Sequence, residues 1–379
     1  MDFELSQDQR ILRDSVRDFV EKEIKPIASR IDQEHKIPEE LTAKMAGMGF
    51  FGSNIPQKYG GAGLDAMSYT LLVEEISKAC ASSGVYISAH TSLGCDPILH
   101  FGTEAQKEEF LPDLCAGRKI GCILLTESDA GSDVSAIATA YERQEDCFVV
   151  NGSKIFITNG GCRGTGILFA TGDRTLGHKG LSAFIVDLAS PGVTILKEES
   201  KLGIRGTSTA AFGFGDLRIP PENLLGSEGA GFRIAMATLD GGRIGIAAQA
   251  LGIAEGAFER ALSYSKQRKQ FGKPICSYQS LQFKLADMYS RIETAKLMVY
   301  KAAWMKDAKM NFSVESAMCK LCASETAAYV TKEALQIHGG YGYVTEYEVE
   351  RMYRDAKITE IYEGTNEMQR IVISKALLA

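Results

Sequence analysis

Glu363 stands near the end of the 379-residue chain, in the run Ile361-Tyr362-Glu363-Gly364-Thr365-Asn366-Glu367. A glycine directly after a carboxylate leaves room around it. A flat substrate can then approach both the carboxylate oxygens and the adjacent backbone N–H, which suits a base that removes a proton next to a carbonyl. Most glutamates are solvated surface residues, so Glu363 gains meaning only from its context. Asp96, in Ser92-Leu93-Gly94-Cys95-Asp96-Pro97-Ile98, is a second notable carboxylate. Aspartate before proline reads as the N-cap of a helix starting at Pro97. Cys319 and Cys322 form a C-x-x-C in a helix-like stretch with no second pair, so two small packed residues are expected rather than a metal or redox site. His90 and His100 flank Asp96, and either could touch a substrate, but core or solvated histidines are commoner.

The elements that must position these groups read as helix-rich, then strand-rich, then helix-rich. Residues 1–120 carry helical patterns such as Ile11, Val16, Phe19 and Val20, punctuated by a glycine loop at Tyr59-Gly60-Gly61-Ala62-Gly63. From 121 to 230 the texture is β. Phe148-Val149-Val150 and Ile155-Phe156-Ile157 flank Asn151-Gly152, which predicts a two-residue hairpin. Pro220-Pro221 ends the sheet region. Residues 231–379 return to long helices. Leu281, Leu285, Met288, Ile292, Ala295, Val299 and Ala302 alternate steps of four and three, a seam for antiparallel packing or for a subunit interface. The class is α+β: an N-terminal helical domain, a middle β-domain and a C-terminal four-helix bundle.

Composition narrows the function classes. A net charge of −6 argues against nucleic acid or an anionic membrane as main partner. No apolar run is long enough to span a bilayer, and the first residues lack the basic and apolar regions of a signal peptide. Nine scattered cysteines suggest reduced thiols, so a cytoplasmic location is expected. No G-x-G-x-x-G follows a strand, which disfavours a Rossmann NAD enzyme.

Six motifs converge on one resemblance. They are Leu125-Thr126-Glu127-Ser128-Asp129-Ala130-Gly131-Ser132-Asp133, Phe156-Ile157-Thr158-Asn159-Gly160, Asp240-Gly241-Gly242-Arg243, Arg268-Lys269-Gln270-Phe271-Gly272, Gln336-Ile337-His338-Gly339-Gly340 and the Glu363 segment. In order and spacing the chain resembles the acyl-CoA dehydrogenase family from end to end, and looks closest to its short-chain, butyryl-type members. The resemblance implies non-covalent FAD, a helical–β–helical fold, usually a homotetramer, and electron transfer to an electron-transferring flavoprotein. It implies that Thr126, Phe156 and Thr158 line the flavin, with Ser132 near the flavin–substrate boundary. By the same resemblance Arg268, Gln270, Phe271, Gln279, Gln336, Gly339 and Gly340 hold FAD, partly across a subunit interface. Thr365 and Glu367 would complete that pocket, Gly364 would meet substrate, and Asp240 and Arg243 would flank the CoA moiety.

An α-proton of a thioester is weakly acidic, so hydrogen bonds to the thioester oxygen must stabilise the developing enolate, typically by about 3–4 kcal/mol per donor. The resemblance supplies the Glu363 N–H and a flavin ribityl hydroxyl for this. Glu363 then takes the α-proton while the β-hydride passes to flavin N5. Burial beside an apolar acyl chain is expected to raise the Glu363 pKa. Some family members carry the base on the helix of Asp240 to Arg243, where this chain has Gly242.

Two positions depart from the family pattern. Ser128 replaces a usual proline, which is expected to loosen the flavin loop, and Phe156 stands where tryptophan often occurs. The Asp96 segment lines the acyl pocket by resemblance. There Asp96 is either a helix cap or a second acid/base, as in alicyclic acyl-CoA dehydrogenases that use a pocket aspartate. An enoyl-CoA reductase, an acyl-CoA oxidase and a non-catalytic flavin- and acyl-CoA-binding protein share these motifs and stay open as alternatives.

Overall fold

The computed structural model describes residues 4–162 and 164–378. Helices occupy the first third, among them Gln7–Phe19, Ala66–Ala79, Ala81–Ala89 and Glu104–Cys115. Ser6 starts the first of these by accepting from Gln9 N while the Gln9 side chain accepts from Ser6 N, a reciprocal cap that satisfies two orphan donors. Helices Gly231–Gln267, Gln279–Asp307, Ser313–His338 and Asn366–Leu378 form the C-terminal bundle, with a short helix Val349–Ala356 leading to Glu363. Among the described residues, no helix is long and apolar enough to cross a membrane.

Between them lies one sheet of eight strands: β1 Gly121–Leu124, β2 Ala140–Arg143, β3 Phe148–Thr158, β4 Thr165–Thr171, β5 Leu181–Asp187, β6 Val193–Glu198, β7 Thr209–Ile219 and β8 Leu224–Leu225. Their order is β6-β7-β3-β2-β4-β5-β8, with β1 parallel to β4. The hairpin predicted at Asn151-Gly152 is not formed. Strand β3 continues through both residues with an irregularity against β7 between Val150 and Gly152, and the turn falls earlier in the chain, where Gln144 N donates to Cys147 O at 2.8 Å. Pairing along β7 outweighs the local turn preference. Gly152 serves close approach instead: a Cβ there would sit 2.6 Å from Thr139 Cα. Leu224–Leu225 also extends the sheet past Pro220-Pro221 by pairing with β5.

The apolar seam of Gln279–Asp307 faces inward. Met288, Ile292, Ala295, Val299 and Ala302 are all buried in a core shared with Ala66–Ala79, Gly231–Gln267 and Ser313–His338. The chain's own bundle therefore consumes these five positions of the seam, while Leu281 and Leu285 are partly buried at its edge. Helix Gly231–Gln267 is the spine of this core. At Gly252 and Gly256 a Cβ would collide with the carbonyls of Glu74 and Lys78, so backbones meet there without intervening side chains.

Candidate active site

Short helical turns at Val349–Ala356 and Lys357–Glu360 deliver the chain to Glu363. Glu363 and Gly364 then adopt φ of +53° and +93°. A left-handed glutamate costs on the order of 1–3 kcal/mol and persists only where surrounding groups enforce it. Here they do. Gln369 Nε2 donates to Gly364 O at 2.8 Å and to Glu363 O at 3.4 Å. Arg243 Nε donates to Glu363 O at 3.5 Å, and Lys320 Nζ donates to Gly364 O at 2.9 Å.

The side chain is treated differently from the backbone. Glu363 as a residue is half-buried, yet its Oε2 is sealed from solvent and has no hydrogen-bond partner. Burial pushes its carboxyl up to about 8, against the opposing pull of Arg243 and Lys320. A Cβ at Gly242 would collide with Oε2 and lie 3.1 Å from Leu93 Cδ2. The absence of a side chain at 242 is thus what makes space for Glu363. The Glu363 N–H has no carbonyl acceptor among the described residues, so it is free to donate.

Asp96 is not a helix cap. The chain is already helical from His90 to Cys95, so Asp96 sits inside a continuing helix and its side chain caps nothing. Its oxygens accept from Asn54 Nδ2 at 2.9 Å and Lys306 Nζ at 3.3 Å. A Cβ at Gly241 would lie 3.9 Å from Asp96 Oδ2. The two carboxylates thus border adjacent glycines of one helix. Both also act on the buried Tyr69 phenol, which burial itself raises most. Arg243 is buried at 6% exposure, bonded to Asp240 at 2.6 Å as well as to the Glu363 carbonyl. Burial raises the Asp240 carboxyl, with Arg243 opposing.

The remaining motif residues fall into two groups that share no hydrogen bond among the described residues. Thr126, Ser132, Phe156 and Thr158 lie on the β-domain, Thr158 paired with Thr209 across β3 and β7. Phe156 occupies a register shift at φ +59° and is 61% exposed. Ser128 is exposed, in a loop held by its neighbour. Next to it Glu127 accepts from Ala138 N at 2.7 Å, Thr139 N at 3.0 Å and Lys154 Nζ at 2.7 Å. On the bundle, Gln270, Phe271 and Gln336 line one cleft of about 540 Å³ with Ile275 and Leu281. Phe271, at φ +52°, is 94% exposed, and Arg268 lies over the Tyr341 ring at 5.4 Å. Gln279 is exposed at the start of its helix, and Gly339 and Gly340 have open space where a Cβ would be. Thr365 and Glu367 flank the Glu363 turn itself, Thr365 Oγ1 accepting from Met368 N at 3.4 Å.

Models of the acyl-CoA dehydrogenase N-terminal, middle and C-terminal domains match residues 6–118, 122–217 and 229–378. The chain belongs to the acyl-CoA dehydrogenase family. It is 52% identical over 374 residues to the short-chain specific acyl-CoA dehydrogenase of Clostridium acetobutylicum, covering 99% of each chain. Butyryl-CoA dehydrogenase from Megasphaera elsdenii superposes with a TM-score of 0.98 at 49% identity, over 100% of both chains. The same figures hold for a chain from a structural study of the electron transferring flavoprotein of Acidaminococcus fermentans. Acyl-CoA dehydrogenases are FAD-dependent oxidoreductases, and this chain carries their helical, β and helical domains.

Sequence reasoning missed several groups around Glu363. Lys320 is fully buried on Ser313–His338. Its only signal was position: it lies on the small-residue stripe of Ser316, Ala317, Ala323, Ser324 and Ala327. Tyr362 donates to Gln249, which donates in turn to Ala81 O at 2.9 Å. His90 is a core residue whose Nδ1 accepts from Gly121 N at 2.8 Å, burial pulling its pKa down to about 4. His100 is exposed, and His338 stacks on Tyr264. Cys319 is buried and Cys322 partly so, and no metal-binding group occurs among the described residues.

Proposed function

We propose that this chain is a FAD-dependent short-chain acyl-CoA dehydrogenase in which Glu363 removes the substrate's α-proton. The observation that carries the reading is the Glu363 carboxylate itself, with Oε2 sealed, unpartnered and aimed into the gap left by Gly242. A carboxyl at about 8 titrates near neutral pH, and its ionised form binds a proton far more tightly than an ordinary carboxylate does. The free Glu363 N–H would polarise the thioester oxygen, and its fixed carbonyls keep that donor in place.

The exposed residues fit FAD. Phe156 and Phe271 are aromatic faces turned outward, Gln270 and Gln336 offer amides in the 540 Å³ cleft, and Gly339 and Gly340 allow close approach of a large group. Arg268, Gln279, Thr126, Thr158, Thr365 and Glu367 would add polar contacts, and Ser132 would stand at the substrate boundary. When bound, FAD supplies the acceptor for the β-hydride. The cleft is open on one side in a single chain, which supports completion by a neighbour in a homotetramer. Electron-transferring flavoprotein is the proposed acceptor, supported by the chain from the Acidaminococcus study.

A second reading is an alicyclic acyl-CoA dehydrogenase with Asp96 as a second base. Its support is the position of Asp96 Oδ2 against Gly241, next to Gly242 and Glu363. Both Asp96 oxygens are engaged, however, whereas Glu363 Oε2 is not.

In the test, FAD-loaded enzyme is mixed anaerobically with butyryl-, isobutyryl-, glutaryl-, cyclohexanoyl- and cyclohexenoyl-CoA, and flavin bleaching is followed. Butyryl-CoA is expected to bleach fastest. Glu363→Gln should retain FAD and lose α-proton exchange by about 10²–10⁴-fold; full exchange in that variant would remove Glu363 as the base. Bleaching only by alicyclic substrates, abolished in Asp96→Asn, would establish the second reading instead.

A further inference from the structure

Lys320 presents an energetic problem that the fold alone does not explain. It projects from Ser313–His338 into the protein and is 0% exposed. Its ammonium donates to Gly364 O at 2.9 Å and to Asn366 Oδ1 at 3.0 Å, both neutral acceptors. Among the described residues no carboxylate oxygen lies within ion-pair distance, 4.0 Å, of its Nζ. A buried ammonium without a contacting anion is strongly disfavoured, and methionine would fill the same volume. Lys154, the other fully buried lysine, is paired with Glu127 at 2.7 Å. The Lys320 charge therefore needs a partner at longer range.

Geometry supplies one. Gly364 is covalently next to Glu363, and Asn366 opens the helix that follows. Ser324 Oγ also donates to Asn366 Oδ1, at 3.0 Å, fixing the acceptor that Lys320 uses. We propose that Lys320 is a positioning residue for the base: its ammonium pins the Glu363–Gly364 turn and supplies the buried positive charge that favours the Glu363 carboxylate. The proposal rests on Glu363 being the base.

The charged and titratable surroundings agree. Burial pulls the Lys320 ammonium down to about 8, while Glu363, Glu360 and Glu367 oppose that and Arg243 reinforces it. Toward Glu363 the groups are Arg243 from Gly231–Gln267, Lys320 from Ser313–His338, and the phenols of Tyr69 and Tyr362. Arg243 already has a contacting anion in Asp240. Lys320 has none, so removing it takes away a charge that no direct partner offsets.

The experiment measures washout of α-deuterium from butyryl-CoA by FAD-loaded enzyme across pH, with wild type, Lys320→Met and Asn366→Asp compared. Lys320→Met removes the charge. Asn366→Asp leaves Lys320 in place but gives it a contacting anion. Both are expected to move the acidic limb of the profile to higher pH by on the order of one unit. A role in folding alone would lower the rate equally at every pH and leave the limb in place, and that result overturns the proposal. Should Lys320→Met fail to load FAD, Lys320→Gln, which loses the charge and keeps an amide donor, takes its place: a shifted limb supports the proposal and an unmoved one overturns it. Glu363→Gln run alongside keeps the two ideas apart. Retained exchange there removes the base assignment, whereas lost exchange with an unmoved limb in the Lys320 and Asn366 variants removes only the role of Lys320.

Discussion

Glu127 and Glu363 are both carboxylates withdrawn from water, and the protein treats them in opposite ways. Burial opposes ionisation of Glu127, but Lys154 and the N–H groups of Thr139 and Ala138 outweigh it and hold its carboxyl below the usual range. Glu363 meets the same penalty with its nearest cations committed elsewhere, Arg243 to Asp240 and backbone, Lys320 to Gly364 and Asn366. Its carboxyl is pushed up to about 8. What differs is whether donors reach the oxygens. A carboxylate satisfied on every side fastens a loop; one left short of partners keeps its affinity for a proton.

The sharpest way to break this contrast is to strip Glu127 of its cation. Lys154→Met should destabilise the protein by about 3–5 kcal/mol, because an uncompensated buried charge remains. Thermal unfolding of Lys154→Met beside a Lys154→Met/Glu127→Gln double variant checks it, and the double variant should recover part of the loss. Next in size is Gly242→Ala. Its Cβ would collide with Oε2, so the Glu363 carboxylate must shift, and with Glu363 as the proposed base α-proton exchange should fall on the order of 10²-fold. Gly241→Ala is the control, since its Cβ would come no nearer than 3.4 Å to Lys306 Nζ, and exchange should be nearly unchanged.

The smallest effect is the sign of two pH slopes. Glu363 is raised in the folded state, so its contribution to stability is complete below its ordinary value of 4.5 and is lost as pH climbs towards about 8. Glu127 is lowered, so its contribution is present above 4.5 and is lost as pH falls through its folded value. Denaturant unfolding from pH 2 to 9 should therefore show, between 4.5 and about 8, Glu363→Gln flattening a decline in stability with rising pH, the Glu127 window lying below 4.5. Glu127→Gln should flatten a rise instead. Slopes of the same sign would contradict the contrast.

Much of the site was legible because its residues lie in compact motifs whose chemistry is distinctive. The helical–β–helical order followed from periodicity, and the seam from Met288 to Ala302 is buried as its spacing required. Errors arose where a local rule met a longer-range one. Asn151-Gly152 has the residues of a tight turn, but β7 offers a full partner strand and no turn forms. Asp96-Pro97 has the residues of a cap, but the helix had already begun upstream. Lys320 was invisible for a different reason. A lysine within a helix ordinarily reads as a solvated side chain, and only its neighbours in space, forty-odd residues away, turn it inward.

The left-handed turn at Glu363 separates two tasks within one residue. Its peptide group is bolted to the frame through the carbonyls on either side of Gly364 N, whereas its carboxylate hangs on three rotatable bonds in a space that Gly242 keeps empty. The anchor and the arm can therefore vary independently. The wall around the arm could be rebuilt for a different group while the backbone N–H of Glu363 stayed where it is.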